Sequence, residues 1–125
     1  MQLEPLPFST LMGINVVSVT PDLVVGELKV REDLCTRPAV LHGGAYMAFA
    51  DTIGAIATVA NLKDGETTTT IESKTNFFAA GREGIVRAES TPLHRGKRTQ
   101  VWQTRVTDAS GRLLSLTIQT QMVLM

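Results

Sequence analysis

From Gly43 to Ala60 the chain reads GGAYMAFADTIGAIATVA, with Asp51 as its only charge. A helix built from this segment is apolar nearly all round, so no face of it suits water and the rest of the fold must enclose it. The segment barely reaches membrane-spanning length, carries an acid near its middle and is rich in Gly, Ala and Thr, which favours a core helix over a membrane span. The pattern predicts a helix from about His42 to about Leu62. Lys63-Asp64-Gly65 stops it, with a basic residue at its end and a glycine just after.

The flanking sequence reads as strand. INVVSVT and LVVGELKVR, separated by Pro21-Asp22, form a hairpin pattern, and residues 5–12 are a short lead-in turn. Residues 32–41 read as a loop, since Pro38 discourages helix just before it. After the helix come TTTTIESKTNFFA, IVRAESTPLHR, TQVWQTRVTD and RLLSLTIQTQMVLM, joined by turns at Gly81–Gly84, Gly96 and Asp108–Gly111, the last strand showing alternating apolar residues. A chain of 125 residues has room for one core, so residues 1–125 read as a single domain. The expected class is α+β: an antiparallel sheet of five to six strands wrapped around one long helix, about 42–62, which is the hotdog arrangement.

Composition narrows the partners. Twelve basic residues balance 12 acidic ones, so nothing draws the whole chain to nucleic acid or to an anionic membrane, and neither partner is expected. Cys35 is the only cysteine, which rules out an internal disulfide and a cysteine metal cluster; no metal is expected. MQLEPLPFST has no basic region followed by an apolar run, so it does not read as a secretory signal and the cytoplasm is the default location.

The chemistry concentrates in His42-Gly43-Gly44-Ala45-Tyr46-Met47-Ala48-Phe49-Ala50-Asp51-Thr52. Helix N-termini present unpaired N–H groups and a partial positive charge. Gly43 and Gly44, lacking Cβ atoms, let a carbonyl oxygen approach those groups, which is the make-up of an oxyanion hole; tight packing is the other reason for glycine there. Asp51 is a lone carboxylate on an apolar helix, and burying a charge is expensive unless it has a partner or a task. It is the candidate general base or nucleophile. His42 is a candidate either to tie down the helix N-terminus or to act as acid or base. Gly43 and Asp51 are eight residues apart in sequence, which is ~12 Å along a helix, too far for one reacting carbonyl group to touch both. If they act together, Asp51 comes from a second subunit whose helix runs antiparallel, with a two-fold axis near Met47 and two equivalent sites per dimer.

Downstream, His94-Arg95-Gly96-Lys97-Arg98-Thr99 gathers cations around a glycine turn. It reads as a solvated hairpin or as a phosphate cradle. Tyr46, Met47, Phe77 and Phe78 are candidates for a substrate pocket or for the core, and Trp102 for the core or an interface.

His42-Gly43-Gly44 followed by the acid at Asp51 and a small-residue helix resembles the acyl-CoA thioesterases of the hotdog superfamily. The similarity is greatest to the branch with phenylacetyl-CoA, hydroxybenzoyl-CoA and dihydroxynaphthoyl-CoA thioesterases. It runs from Met12–Val17 to Asp108–Arg112 and the last strand. The resemblance implies that the Gly43 N–H polarises the thioester carbonyl, with Gly44 beside it, and that Asp51 of the neighbouring subunit attacks or activates water. It also implies that Arg95, Lys97 and Arg98 contact the CoA nucleotide and that CoA enters as part of the substrate with no other cofactor; the distance between Gly43 and Asp51 requires a homodimer, and a homotetramer is the expected assembly. Two positions depart from the pattern: Thr36, still expected to bind substrate, stands where relatives often carry Asn or Gln, and Ala55 where many carry Ser or Thr, with Thr52 the candidate to serve instead.

Two other functions compete with thioester hydrolysis. A hotdog dehydratase or hydratase needs a His paired with an acid, and the His-Phe-Pro-Gly and Asp-x-Asn-x-x-His signatures are missing. A non-catalytic acyl-CoA binder would hold CoA esters and release no thiol.

Overall fold

A computed structural model of the chain describes residues 6–125; residues 1–5, which include the start of the expected lead-in turn, lie outside the described residues. The lead-in is a short helix, α1 (Pro7–Met12), begun by a proline in its first turn and ended by Gly13 at φ 81°, a left-handed cap that glycine adopts without strain. β1 (Asn15–Val19) and β2 (Val24–Lys29) form the expected hairpin. The expected loop carries more structure than its sequence suggests, with a 3₁₀ turn at Glu32–Leu34 and a small ladder between β3 (Cys35–Thr36) and β4 (Val40–Leu41).

The long helix α2 spans Gly43–Val59, shorter at its C-terminal end than the sequence pattern suggests. Asn61 accounts for the early stop: its side chain donates to the carbonyls of Ala57 at 3.0 Å and Pro21 at 2.9 Å. That satisfies a carbonyl at the helix end and ties it to the β1–β2 turn.

β5 (Thr67–Phe77), β6 (Ile85–Arg95), β7 (Thr99–Thr107) and β8 (Leu113–Leu124) complete a six-stranded antiparallel sheet in the order β1-β2-β6-β7-β8-β5. Pro92 is tolerated in β6 because the ladder shifts register between Pro92 and His94. The sheet curls around α2 in the hotdog arrangement. Phe49, Ile53 and Ile56 of the helix meet Val24, Leu28, Val86, Trp102 and Leu114 in one buried core. No helix among the described residues is long and apolar enough to cross a membrane.

Two features depart from the sequence reading. First, α2 is enclosed on one side only. Ala45, Tyr46, Phe49, Ala50, Ile53 and Ala57 are buried, whereas Gly44, Met47 and Val59 are exposed and Ala48, Asp51 and Ala55 half-buried, in a stripe at helical spacing. Second, the alternation of β8 is inverted. Thr117, Gln119 and Gln121 face the helix, fully buried, while Ile118, Met122 and Leu124 are exposed at 37–39% on the outer face. Gly54 explains how a glutamine fits beneath the helix: a Cβ there would collide with the Gln119 carboxamide.

Candidate active site

His42 is the N-cap of α2, and its Nδ1 accepts a hydrogen bond from the Gly44 N–H at 2.8 Å. This is the tying role, and it also accounts for one glycine, since a Cβ at Gly44 would come within 3.0 Å of the His42 ring. Gly43 differs. A Cβ there would meet only the Phe77 ring, at an ordinary 3.4 Å, and the Gly43 N–H has no hydrogen-bond partner among the described residues. One donor of the first turn is therefore capped by the imidazole and its neighbour is left available beside an open backbone.

The space in front of that turn is a cleft of about 410 Å³. Phe8, Leu11 and Met12 of α1 form one wall, Leu34 and Cys35 another, and His42, Gly44, Ala45 and Ala48 the floor. Arg31 holds the α1 wall in place: its guanidinium donates to the carbonyls of Met12 and Leu11, the latter at 2.9 Å, and meets Asp33 at 2.7 Å. Thr36 lies outside this cleft, in a neighbouring one with Arg37, Ala39 and Arg82. Tyr46 is core, edge-on to Phe77 at 5.8 Å, and burial pushes its hydroxyl above the ordinary tyrosine range. Met47, Phe77 and Phe78 are exposed rather than in the cleft.

Asp51 lies two turns further along α2, on the open stripe and outside the cleft of its own chain. Its Oδ1 accepts from Gln119 Nε2 at 3.3 Å and from the Thr70 hydroxyl at 3.4 Å. Thr70 stands at a register shift of β5, a kind of irregularity that re-aims side chains. Thr52 spends its hydroxyl on the Ala48 carbonyl at 2.8 Å. Sequence reasoning missed both neighbours of Asp51. A signal for Gln119 did exist: QTQ in a strand whose only other polar residues are Ser115 and Thr117 is an unusual pair of carboxamides, but only the strand's phase shows that they point inward.

The cations of the β6–β7 turn are a separate group at the other end of α2. Arg95 is already engaged, meeting Asp22 at 2.7 Å and donating to the Pro21 carbonyl at 3.0 Å. Lys97 lines a surface groove with Arg95, Asn61, Lys63 and Glu66, and Arg98 lines an adjoining one with Glu66 and Lys97. The structure thus brings His42, Gly43 and Gly44 together, sets Asp51 apart from them on the same helix, and puts Thr36 and the basic turn elsewhere.

Comparison with known proteins gives this arrangement a family. The Thioesterase superfamily profile matches residues 39–115, more than half of the chain, from just before the cleft floor into β8. The chain is 31% identical over 105 residues to the 1,4-dihydroxy-2-naphthoyl-CoA hydrolase of Listeria monocytogenes, covering 84% of this chain and 85% of that protein. It is 31% identical over 101 residues to the proofreading thioesterase EntH of Cronobacter turicensis, covering 81% and 74%. Among solved structures, a thioesterase from Haemophilus influenzae superposes with a TM-score of 0.90 at 28% identity, over 94% of this chain and 82% of that one. A shared fold over nearly the full length and a matched segment holding both the helix N-terminus and Asp51 lead to one conclusion: this chain belongs to the thioesterase superfamily.

Proposed function

We propose that this thioesterase hydrolyses acyl-CoA or aryl-CoA thioesters to the free acid and CoA, at sites each shared by two copies of the chain. The Gly43 N–H of one copy polarises the thioester carbonyl. Asp51 of the other either takes a proton from the attacking water, the proton then passing to the leaving CoA sulfur, or attacks the carbonyl carbon itself. Direct attack expels CoA thiolate, which water protonates, and leaves an acyl–Asp51 anhydride that a second water hydrolyses to the free acid. A thioester is already activated, so one carboxylate and one oxyanion site suffice. The observation that carries the proposal is the separation on α2 of an unpaired N–H at Gly43, between the cleft-lining His42 and Gly44, from a half-buried carboxylate at Asp51, two turns away and outside the cleft.

The open stripe of α2 supports a second copy's helix as its cover. Gly44, Met47, Ala48 and Ala55 are small or apolar and exposed or half-buried, and small residues permit close helix approach. β5 supports the same pairing. It is an 11-residue edge strand with Ile71 and Phe77 exposed, and the unpaired backbone groups of a long edge are a template for a further strand. The outward Ile118 and Met122 of β8 favour a second contact, which would join dimers into a tetramer. In the basic turn, Lys97 and Arg98 are the better candidates for the CoA phosphates, since Arg95 is held by Asp22.

The test is thiol release from a panel of aromatic, short, medium and long acyl-CoAs, corrected for dye reacting at Cys35. Wild type turns over at least one ester. Asp51→Asn loses roughly 10²–10⁴-fold in kcat, the range for a positioned acid–base group, and keeps its fold by circular dichroism. Gly43→Pro removes the other group, and proline is well tolerated at a helix's first position. Mixing the two inactive variants restores part of the activity through hybrid dimers. Full turnover by Asp51→Asn alone would sink the mechanism, and mixing without recovery would sink the shared site. CoA ester bound stoichiometrically without thiol release would make the protein a binder.

A further inference from the structure

The carboxylate of Asp51 has two oxygens, and the chain directs its donors to one of them. Gln119 Nε2 and the Thr70 hydroxyl both approach Oδ1, at 3.3 and 3.4 Å, while Oδ2 has no hydrogen-bond partner among the described residues. Gln119 is 1% exposed, at the inward phase of β8. The reverse orientation of its amide would set Oε1 against a carboxylate oxygen, acceptor against acceptor, so Nε2 is the group on Asp51.

Two further observations mark Gln119 as more than a core residue. Its Oε1, like that of Gln121, is buried with no hydrogen-bond partner, and a buried carboxamide oxygen left unpaired destabilises a fold, whereas an apolar side chain of similar volume would not; unlike Gln121, Gln119 reaches Asp51. Its carboxamide also occupies a notch at Gly54, three residues beyond Asp51 on the same helix, where any Cβ would displace it. A side chain that costs stability, seated in a recess shaped for it, has its one satisfied group on the carboxylate.

We propose that Gln119 is a positioning residue for Asp51: seated against Gly54, it pins Oδ1 and turns Oδ2 outward as the oxygen that meets the water or the thioester carbonyl. This rests on Asp51 being the reacting carboxylate, as proposed above. Thr70 adds a weaker hold from the sheet edge.

The experiment measures kcat, KM and melting temperature for Gln119→Met, Gly54→Ala and Asp51→Asn on the best acyl-CoA of the panel. Gln119→Met keeps the volume and removes the donor. Its kcat is expected to fall roughly 10–100-fold, the value of a hydrogen bond to a charged group, with KM unchanged and a melting temperature no lower than wild type. Gly54→Ala keeps the glutamine but pushes its amide off Oδ1, so its kcat falls in the same way; it decides the matter if Gln119→Met does not fold. Wild-type kcat in Gln119→Met overturns the proposal. So does a loss in both variants that tracks a fall in melting temperature, which would make Gln119 a structural residue. If Asp51→Asn is inert while Gln119→Met is fully active, the positioning role fails and the mechanism stands. If Asp51→Asn is active, both fail.

Discussion

On the side of α2 that rests on the sheet, Phe49, Ala50, Ile53 and Ala57 are sealed at 0% exposure, while on the side that faces away Met47 stands 39% exposed and Val59 44%. Both sides are apolar, so hydrophobicity alone does not distinguish them. What distinguishes them is what each is packed against. The sealed side is complementary to the chain's own strands and needs nothing else to explain it. The open side combines small residues, a methionine and the one carboxylate of the helix, and among the described residues it is only partly covered. Folding accounts for the first, and the pairing of two copies proposed above would account for the second.

Substitutions on each side separate the two accounts. The largest effect on stability is expected from Phe49→Ala, which empties the centre of the core and costs about 3–5 kcal/mol by chemical or thermal denaturation; an effect below about 1 kcal/mol would mean the sealed side is not what holds the fold. Met47→Lys comes next. At the proposed two-fold axis it sets two like charges face to face, which costs several kcal/mol. Sedimentation should show dissociation, and activity should fall with it, while circular dichroism keeps the fold. An intact, active oligomer would remove the open side from the interface.

The smallest effect belongs to a region remote from both sides. The Ser110 hydroxyl, followed by the Arg112 N–H, holds the Asp108 carboxyl below the usual carboxylate range in the β7–β8 turn. A folded-state value below the unfolded one contributes stability above the unfolded pKa and loses it as the pH falls through the folded one. Asp108→Ala is therefore expected to lower the melting temperature slightly at neutral pH, and the gap should close in acid, below the ordinary carboxylate value of about 4. A gap unchanged with pH would refute that assignment.

Much of this was legible in the sequence, for identifiable reasons. A long segment with one charge signals a core helix whatever surrounds it, and the hairpins carry their own turn residues. The capping of Gly44 by His42 is a local contact, within reach of reasoning from spacing. The spacing of Gly43 and Asp51 put an expected partner near Met47, but the extent of the open stripe was not legible, because small apolar residues look alike whether they meet a sheet or another chain. Nor was the phase of β8, where alternation of period two is satisfied equally by apolar-in and apolar-out. Only the notch at Gly54 breaks that tie, and it pairs residues distant in sequence. The same blindness to phase hid Gln119 and Thr70 from any search for the neighbours of Asp51.

The latch between Arg31 and α1 has a consequence for how such a protein can change. Arg31 grips the wall of the cleft by the carbonyl oxygens of Leu11 and Met12, groups that every amino acid supplies. The side chains that face the cleft from that wall, Phe8 and Leu11, are therefore uncoupled from what holds the wall in place. They can be exchanged in a lineage without unfastening the helix and without touching Gly43 or Asp51. Selection could thus reshape what the cleft admits one residue at a time, over an unaltered chemical apparatus, and that is a physical route to diversification within a single fold.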